Sequence, residues 1–244
     1  MKVVAIIEAR MTSTRLPGKV MLHSLGMSML ERLVLRLRSV SNIDEVIVAT
    51  TTNPEDDTIV NLCNSLSIRS FRGSELNVFE RVIAAGHFSC ADVVVEITGD
   101  CPLIDPRLVE KAVDSFLQTN PDYLSNCEKQ TFPAGMEIQV VKLSSLIKSY
   151  SMTTSELDRE HVTLHIRMNP EVFEQIHLKA PPELYAPQFS VTLDEYPDYE
   201  LINFVIESLE PNGFYFGCDS IIELLRENAT KAMVNSDVKR KGDT

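Results

Sequence analysis

Along the first half of the chain, short apolar runs rich in β-branched residues recur at 3–7, 45–49 and 93–97. Runs this continuous predict strands buried on both faces. Amphipathic stretches separate them. Over residues 29–40, Leu30, Leu33, Val34, Leu37 and Val40 share one helical face, while Arg32, Arg36 and Arg38 lie off it. Asn53-Pro54, a capping residue followed by proline at the first helical position, predicts a helix over 54–66. A short strand at 68–71 and a helix over 78–88 complete an alternation that predicts βαβ units around a parallel sheet.

After Asp105-Pro106, read as a cap and first turn, a helix is predicted as far as Gln118, and then the rhythm changes. Residues 136–142 alternate like an antiparallel or edge strand, 155–167 read as a helix, and 173–178 as another strand. Three prolines mark 179–187 as a loop, and helices over 199–208 and 219–228 close the pattern, with Asp198 as the expected cap of the first. The fold class expected is α/β: one domain over 1–229 with a mainly parallel sheet and an insertion over 126–180. A polar tail, 230–244, is expected to fray.

Composition narrows the function. The 244 residues carry 23 Lys+Arg against 35 Asp+Glu, a net charge of −12 that excludes a broad nucleic-acid or anionic-membrane surface. Five cysteines without a CxxC pair read as a reduced intracellular protein, and no apolar run reaches the roughly 18–20 residues a bilayer requires. Nor does the N-terminus read as a signal peptide, since Glu8 and Arg10 interrupt its apolar run. A cytoplasmic location is therefore expected, with no membrane and no nucleic acid as partner.

Open parallel sheets hold ligands beyond the carboxyl ends of their strands, a rule that selects two loops here. The first runs Glu8-Ala9-Arg10-Met11-Thr12-Ser13-Thr14-Arg15-Leu16-Pro17-Gly18-Lys19, with three cations and three hydroxyl residues in an acidic protein. Arg10, Arg15 and Lys19 suit phosphate oxygens, Gly18 allows close backbone approach, and the local reversal of charge favours a polyphosphate over a merely solvated loop. It is neither a GxxxxGK[ST] nor a GxGxxG loop. The second runs from Thr98-Gly99-Asp100 to Pro106, where Asp100 is placed to hold a hard cation such as Mg²⁺. Cys101 reads as a small buried filler. Asp194 follows a further apolar alternation and would complete a carboxylate pair with Asp100 if the two loops converge. His161 and His165, four apart, share a face of the predicted helix and read as partly buried histidines more readily than as a metal pair.

These residues resemble a known family. The loop from Ala9 to Lys19 is similar to the signature of the sugar cytidylyltransferases, enzymes that activate 3-deoxy-octulosonic and nonulosonic acids with CTP, and most similar to their spore coat polysaccharide biosynthesis protein F branch. The likeness continues through Ile97-Thr98-Gly99-Asp100-Cys101-Pro102, Thr131-Phe132-Pro133-Ala134-Gly135, Arg159-Glu160-His161 and residues 194–201. It implies a Rossmann-like nucleotidyltransferase domain. Arg10, Arg15 and Lys19 would hold the CTP triphosphate with Ala9, Ser13 and Gly18 of the same loop, and Thr50 and Gly99 would lie beside the nucleotide. Asp100 and Asp194 would bind Mg²⁺. The acceptor, a sugar acid, would lie near Gly135, Glu137, Arg159 and His161, and the insertion would make a homodimer. Glu96 departs from the pattern, standing where relatives often carry arginine. The implied reaction transfers CMP from CTP to the sugar acid and releases pyrophosphate, serving a surface polysaccharide or glycan. Transfer to a sugar 1-phosphate or another phosphorylated alcohol, and nucleotide binding without turnover, are the rival readings.

Overall fold

The computed structural model describes residues 1–239. Strand β1 (Val3–Glu8) leads through the cationic loop to a hairpin of two short strands, β2 (His23–Ser24) and β3 (Met27–Ser28), and into helix α1 (Met29–Arg38). There follow β4 (Glu45–Thr51), α2 (Asp57–Ser65), β5 (Arg69–Gly73), α3 (Val78–Phe88), β6 (Val93–Thr98) and α4 (Pro106–Thr119). The alternation expected from the apolar pattern is thus realised. Asp105 caps α4, its side chain accepting from the Arg107 N–H, and Pro106 occupies the first turn.

The second half holds β7 (Tyr123–Ser125), β8 (Gln139–Lys142), α5 (Leu143–Met152), α6 (Glu156–Glu160), α7 (Leu164–Arg167) and β9 (Gln175–His177), then α8 (Tyr196–Leu209), α9 (Cys218–Glu227) and α10 (Ala229–Ala232). All the longer strands join one seven-stranded sheet in the order β5-β4-β1-β6-β8-β7-β9. Strands β5, β4, β1 and β6 are parallel, and β8 runs antiparallel between β6 and β7. Segment 126–180 therefore extends the central sheet with β8 and β9. Strands β1 and β6 lie side by side with Glu8 opposite Thr98, so the loops that follow them open at the same end of the sheet.

Two apolar clusters cover the two faces. Ala5, Ile7, Val93 and Val95 face α1, α4, α8 and α9, whereas Val4, Ile6 and Val94 face α3 and α5. By strand parity Glu8 and Glu96 continue this second, apolar series.

Several expectations are corrected. The helix over 155–167 breaks at His161, whose φ of −109° and ψ of 89° are not helical, so His161 and His165 do not share a helical face. His165 Nδ1 pairs instead with Ser149 Oγ at 3.0 Å. Strand 136–142 shortens to β8 because Asn126 takes up the backbone at 136–138, donating to Met136 O and accepting from Ile138 N. Helix α8 begins before Tyr199, with Glu195 as its cap and Asp198 as the reciprocal partner in a capping box. Arg32 and Arg36, off the apolar face of α1, are nonetheless fully buried. The 214–216 loop closes over Arg36, whose guanidinium donates to the carbonyls of Ile104, Phe214 and Phe216. The tail is not frayed through residue 239: Ala232 packs into the core and Asn235 is buried. The remainder of the predicted tail, 240–244, lies outside the described residues.

Candidate active site

The cationic loop is held by its neighbours before it holds anything itself. Gly18, at φ +71°, takes the left-handed turn that lets its N–H reach Met11 O at 2.8 Å, a conformation that strains residues bearing a Cβ. The Met11 N–H donates to Asp56 Oδ1 at 2.7 Å, while Asp56 Oδ2 accepts from Thr50 Oγ1 (2.9 Å), Thr51 N (3.0 Å) and Thr51 Oγ1 (2.5 Å). Asp56, fully buried, thereby staples the loop to the end of β4. Burial alone would raise its pKa, but the Thr51 hydroxyl and the other donors outweigh burial and the net shift is downward. Thr50 serves this staple and stands outside the cavity lining.

Next to this loop, Gly99 donates its N–H to Glu8 O at 2.8 Å, and a Cβ on Gly99 would come within 2.5 Å of that oxygen. Strand ends β1 and β6 can approach this closely only because position 99 lacks a side chain. Leu193 N donates to Asp100 O at 2.8 Å, which brings the segment before α8 against the loop after β6. Asp100 and Asp194 do converge. Lys19 Nζ lies 3.1 Å from Asp100 Oδ2 and 3.0 Å from Asp194 Oδ1, and Arg15 Nη2 lies 2.8 Å from the same Asp194 oxygen. Burial pushes the Lys19 ammonium toward the neutral form, but Asp100 and Asp194 overcome it and its pKa rises. For Asp100, burial is likewise outweighed, by Lys19 and the Thr98 hydroxyl, and the carboxyl sits below its ordinary range.

These groups border a cavity of about 210 Å³, lined among others by Ala9, Arg10, Ser13, Arg15, Lys19, Gly99, Asp100, Asp194 and His161. Arg10 reaches Glu75 Oε1 at 3.3 Å, and Thr12 hydrogen-bonds the same carboxylate. Gly135, Glu137 and Arg159 stand apart from the lining. Gly135, at φ +97°, abuts Val191, and its N–H donates to Glu137 Oε2 at 2.6 Å. Arg159 is turned away altogether, donating to Thr153 O at 2.9 Å with its guanidinium 3.5 Å over the Tyr150 ring. Arg159 and Glu160 both lie on α6, but the helix turns them in different directions, so Glu160, and His161 just past the helix end, line the cavity while Arg159 does not.

Glu8 and Arg81 also line the cavity, and neither was anticipated there. Glu8 and the almost fully buried Glu96 hydrogen-bond each other, and both carboxyls are raised, Glu8 well above the ordinary range. Burial is the largest cause for each, and for Glu8 the Glu96 charge comes next. Two adjacent carboxyls resist ionising together, because doing so would set like charges side by side. Glu96 further accepts from Gln139 Nε2, whose Oε1 takes the Tyr123 hydroxyl at 2.6 Å. The departure at Glu96 is thus absorbed by a partner on β1. Strand parity was the available signal: residues 4, 6 and 8 share a face with 94 and 96.

A larger cavity of about 610 Å³ lies between α8 and α9, lined by Leu209, Phe214, Tyr215 and Leu224. Among the described residues its charged lining is Glu223 and Glu227, both acidic.

Comparison with known proteins bears on the family to which the chain is similar. A family profile described as cytidylyltransferase matches residues 4–238. The chain is 36% identical over 203 residues to the spore coat polysaccharide biosynthesis protein SpsF of Bacillus subtilis, covering 81% of this chain and 83% of that one. Among solved structures it is similar to a cytidylyltransferase from Leptospira borgpetersenii, with a TM-score of 0.90, 31% identity and 99% coverage of both chains. It also shares its fold with a CMP:2-keto-3-deoxy-manno-octonic acid synthetase complexed with CTP, with a TM-score of 0.61, 18% identity, and 85% of this chain and 99% of that one covered.

Proposed function

The chain belongs to the cytidylyltransferase family, and from that premise we propose that it transfers CMP from CTP to a sugar acid of the 3-deoxy-2-keto type, releasing pyrophosphate for surface-glycan synthesis. The observation that carries this reading is the convergence of Lys19, Arg15, Asp100 and Asp194 from three separate segments onto one cavity. An acidic chain with a net charge of −12 assembles its cations there, which suits a bound polyphosphate.

In this reading Arg10, Arg15 and Lys19 grip the phosphates and stabilise the charge that develops on the departing pyrophosphate. Ser13 and the backbone of the Asp56-stapled loop hold the nucleotide in place, so its orientation is set before reaction. Asp100 and Asp194 fit a divalent cation: both are carboxylates, and the Lys19 ammonium already sits between them as a cation would. Bound there, Mg²⁺ would neutralise phosphate charge and help orient the attack of the acceptor oxygen on the α-phosphorus. His161, Glu160 and Glu8 face the remaining space and suit the hydroxyl groups of a sugar.

Cytoplasmic action fits the absence, among the described residues, of any helix long and apolar enough to cross a membrane. A homodimer formed through segment 126–180 belongs to the same proposal and is read by the elution volume of the purified chain. The deciding experiment is pyrophosphate release from CTP, UTP, ATP and GTP with a panel of 3-deoxy-2-keto sugar acids and sugar 1-phosphates. The proposal expects release with CTP and a sugar acid. Release only with phosphorylated acceptors would replace it with the sugar 1-phosphate reaction, and CTP binding without release on any acceptor would replace it with a nucleotide-binding role.

A further inference from the structure

Asp194 does not hold its place unaided. Its backbone N–H donates to Asp198 Oδ2 at 3.0 Å, and the Glu195 N–H donates to the same oxygen at 2.8 Å. The other oxygen, Asp198 Oδ1, accepts from Asn235 Nδ2 at 2.7 Å, and that amide also donates to Ser190 O at 3.0 Å. Both neighbours of the Asn235 nitrogen are acceptors, which settles the orientation of the amide. Asp198 is fully buried and Asn235 nearly so, in a chain segment that sequence reading assigns to a frayed tail. The same segment reaches Asp194 by a second path. Lys239 O accepts from Arg15 Nη1 at 2.7 Å, and Arg15 Nη2 holds Asp194 Oδ1 at 2.8 Å.

We propose that Asn235 is a positioning residue of the active site, acting through Asp198 to fix the Asp194 carboxylate for the divalent cation. Asn235 and the Lys239 carbonyl then support the site from behind its lining, through Asp198 and Arg15. The argument rests on the proposed role of Asp194 as a metal ligand. A carboxylate that must meet both a cation and the Arg15–Lys19 pair has little tolerance for rotation. A buried side chain bridging Asp198 and Ser190 removes that freedom.

The test is Mn²⁺ binding to the full chain in the presence of CTP, followed by the loss of the free-ion electron paramagnetic resonance signal. Asn235→Ala is expected to weaken Mn²⁺ binding about tenfold, the lower end of the range for residues that support metal ligands, while CTP affinity without metal stays unchanged. Ala232→Gly serves as the control, because it loosens the neighbouring buried turn without touching Asp198. It should lower the melting temperature and leave Mn²⁺ binding intact. Unchanged Mn²⁺ binding in Asn235→Ala would overturn the proposal, as would equal weakening in both variants, which would mean general loosening. If Asn235→Ala does not fold, Asn235→Ser, too short to reach both acceptors, carries the same readout. Wild-type protein that binds CTP but no Mn²⁺ would remove the metal-ligand role of Asp194 itself, a failure distinct from that of Asn235.

Discussion

Glu96 and Asp100 stand four residues apart where β6 runs out, and their carboxyls are driven in opposite directions. Glu96 is almost fully buried and Asp100 partly so, and burial alone would raise both. Asp100 faces the Lys19 ammonium at 3.1 Å, so its charged form wins. Glu96 faces a second carboxyl, Glu8, so the pair keeps a proton. Strand parity produces the difference. Glu96 points to the α3–α5 face beside the end of β1, and Asp100, two residues beyond the strand, is free to turn toward the cationic loop. The lesson is that acid content near the cationic loop says little by itself: one carboxylate there pairs with an ammonium and the other with a second carboxyl.

The largest break in this contrast is Lys19→Ala. It strips Asp100 of its ammonium partner and leaves Asp194 with Arg15 alone, and pyrophosphate release is expected to fall roughly 100- to 1,000-fold with an unchanged far-ultraviolet circular dichroism spectrum. Turnover close to wild type would remove Lys19 from the site. Asp56→Ala probes a third kind of carboxylate, one held by neutral donors alone. Leaving the buried Thr50 and Thr51 donors unpaired should cost about 2–3 kcal/mol in urea unfolding, and the unstapled loop should raise the KM for CTP.

Glu8→Gln sharpens the proton-sharing side. With Glu8 raised in the folded state, the native protein binds more protons than the unfolded chain at pH values between the two pKa values. The pair's contribution is therefore fully present below the ordinary carboxylate range and is lost as pH rises toward the folded value. Wild-type stability should decline across that window, and Glu8→Gln should flatten the decline in denaturant titrations at pH 5, 6.5 and 8. Parallel pH profiles would show that no proton is shared. The smallest effect is expected from Glu75→Gln, which relaxes a part-exposed pair with Arg10. Stability should change by no more than about 0–1 kcal/mol, checked by urea unfolding at low and high salt.

Much of this was legible before any coordinates. The β-branched runs marked β1, β4 and β6, the Asp105-Pro106 signal marked the start of α4, and the loop from Ala9 to Lys19 declared its charge. Each of these is a local pattern, carried by side-chain alternation or by the spacing of neighbouring residues. What failed to show did so for one reason. Arg32 and Arg36 look solvent-facing on a helical wheel, yet a loop more than 170 residues later supplies the carbonyls that bury Arg36. Arg159 belongs to the same motif as His161, but the Thr153 carbonyl and the Tyr150 ring, which lie outside that motif, hold its guanidinium away from the cavity.

The sequence alone determined the α/β class, the strand ends where ligands gather, and the sign of the charge in the cationic loop, because these depend on residues close together along the chain. Tertiary structure decided that Asp194 would meet Asp100 across Lys19, that Glu8 would lie against Glu96, and that Asn235 would reach Asp198 and Ser190. Those contacts join segments tens to hundreds of residues apart, and only the register and order of the sheet, with the helices laid over it, bring them within hydrogen-bonding distance.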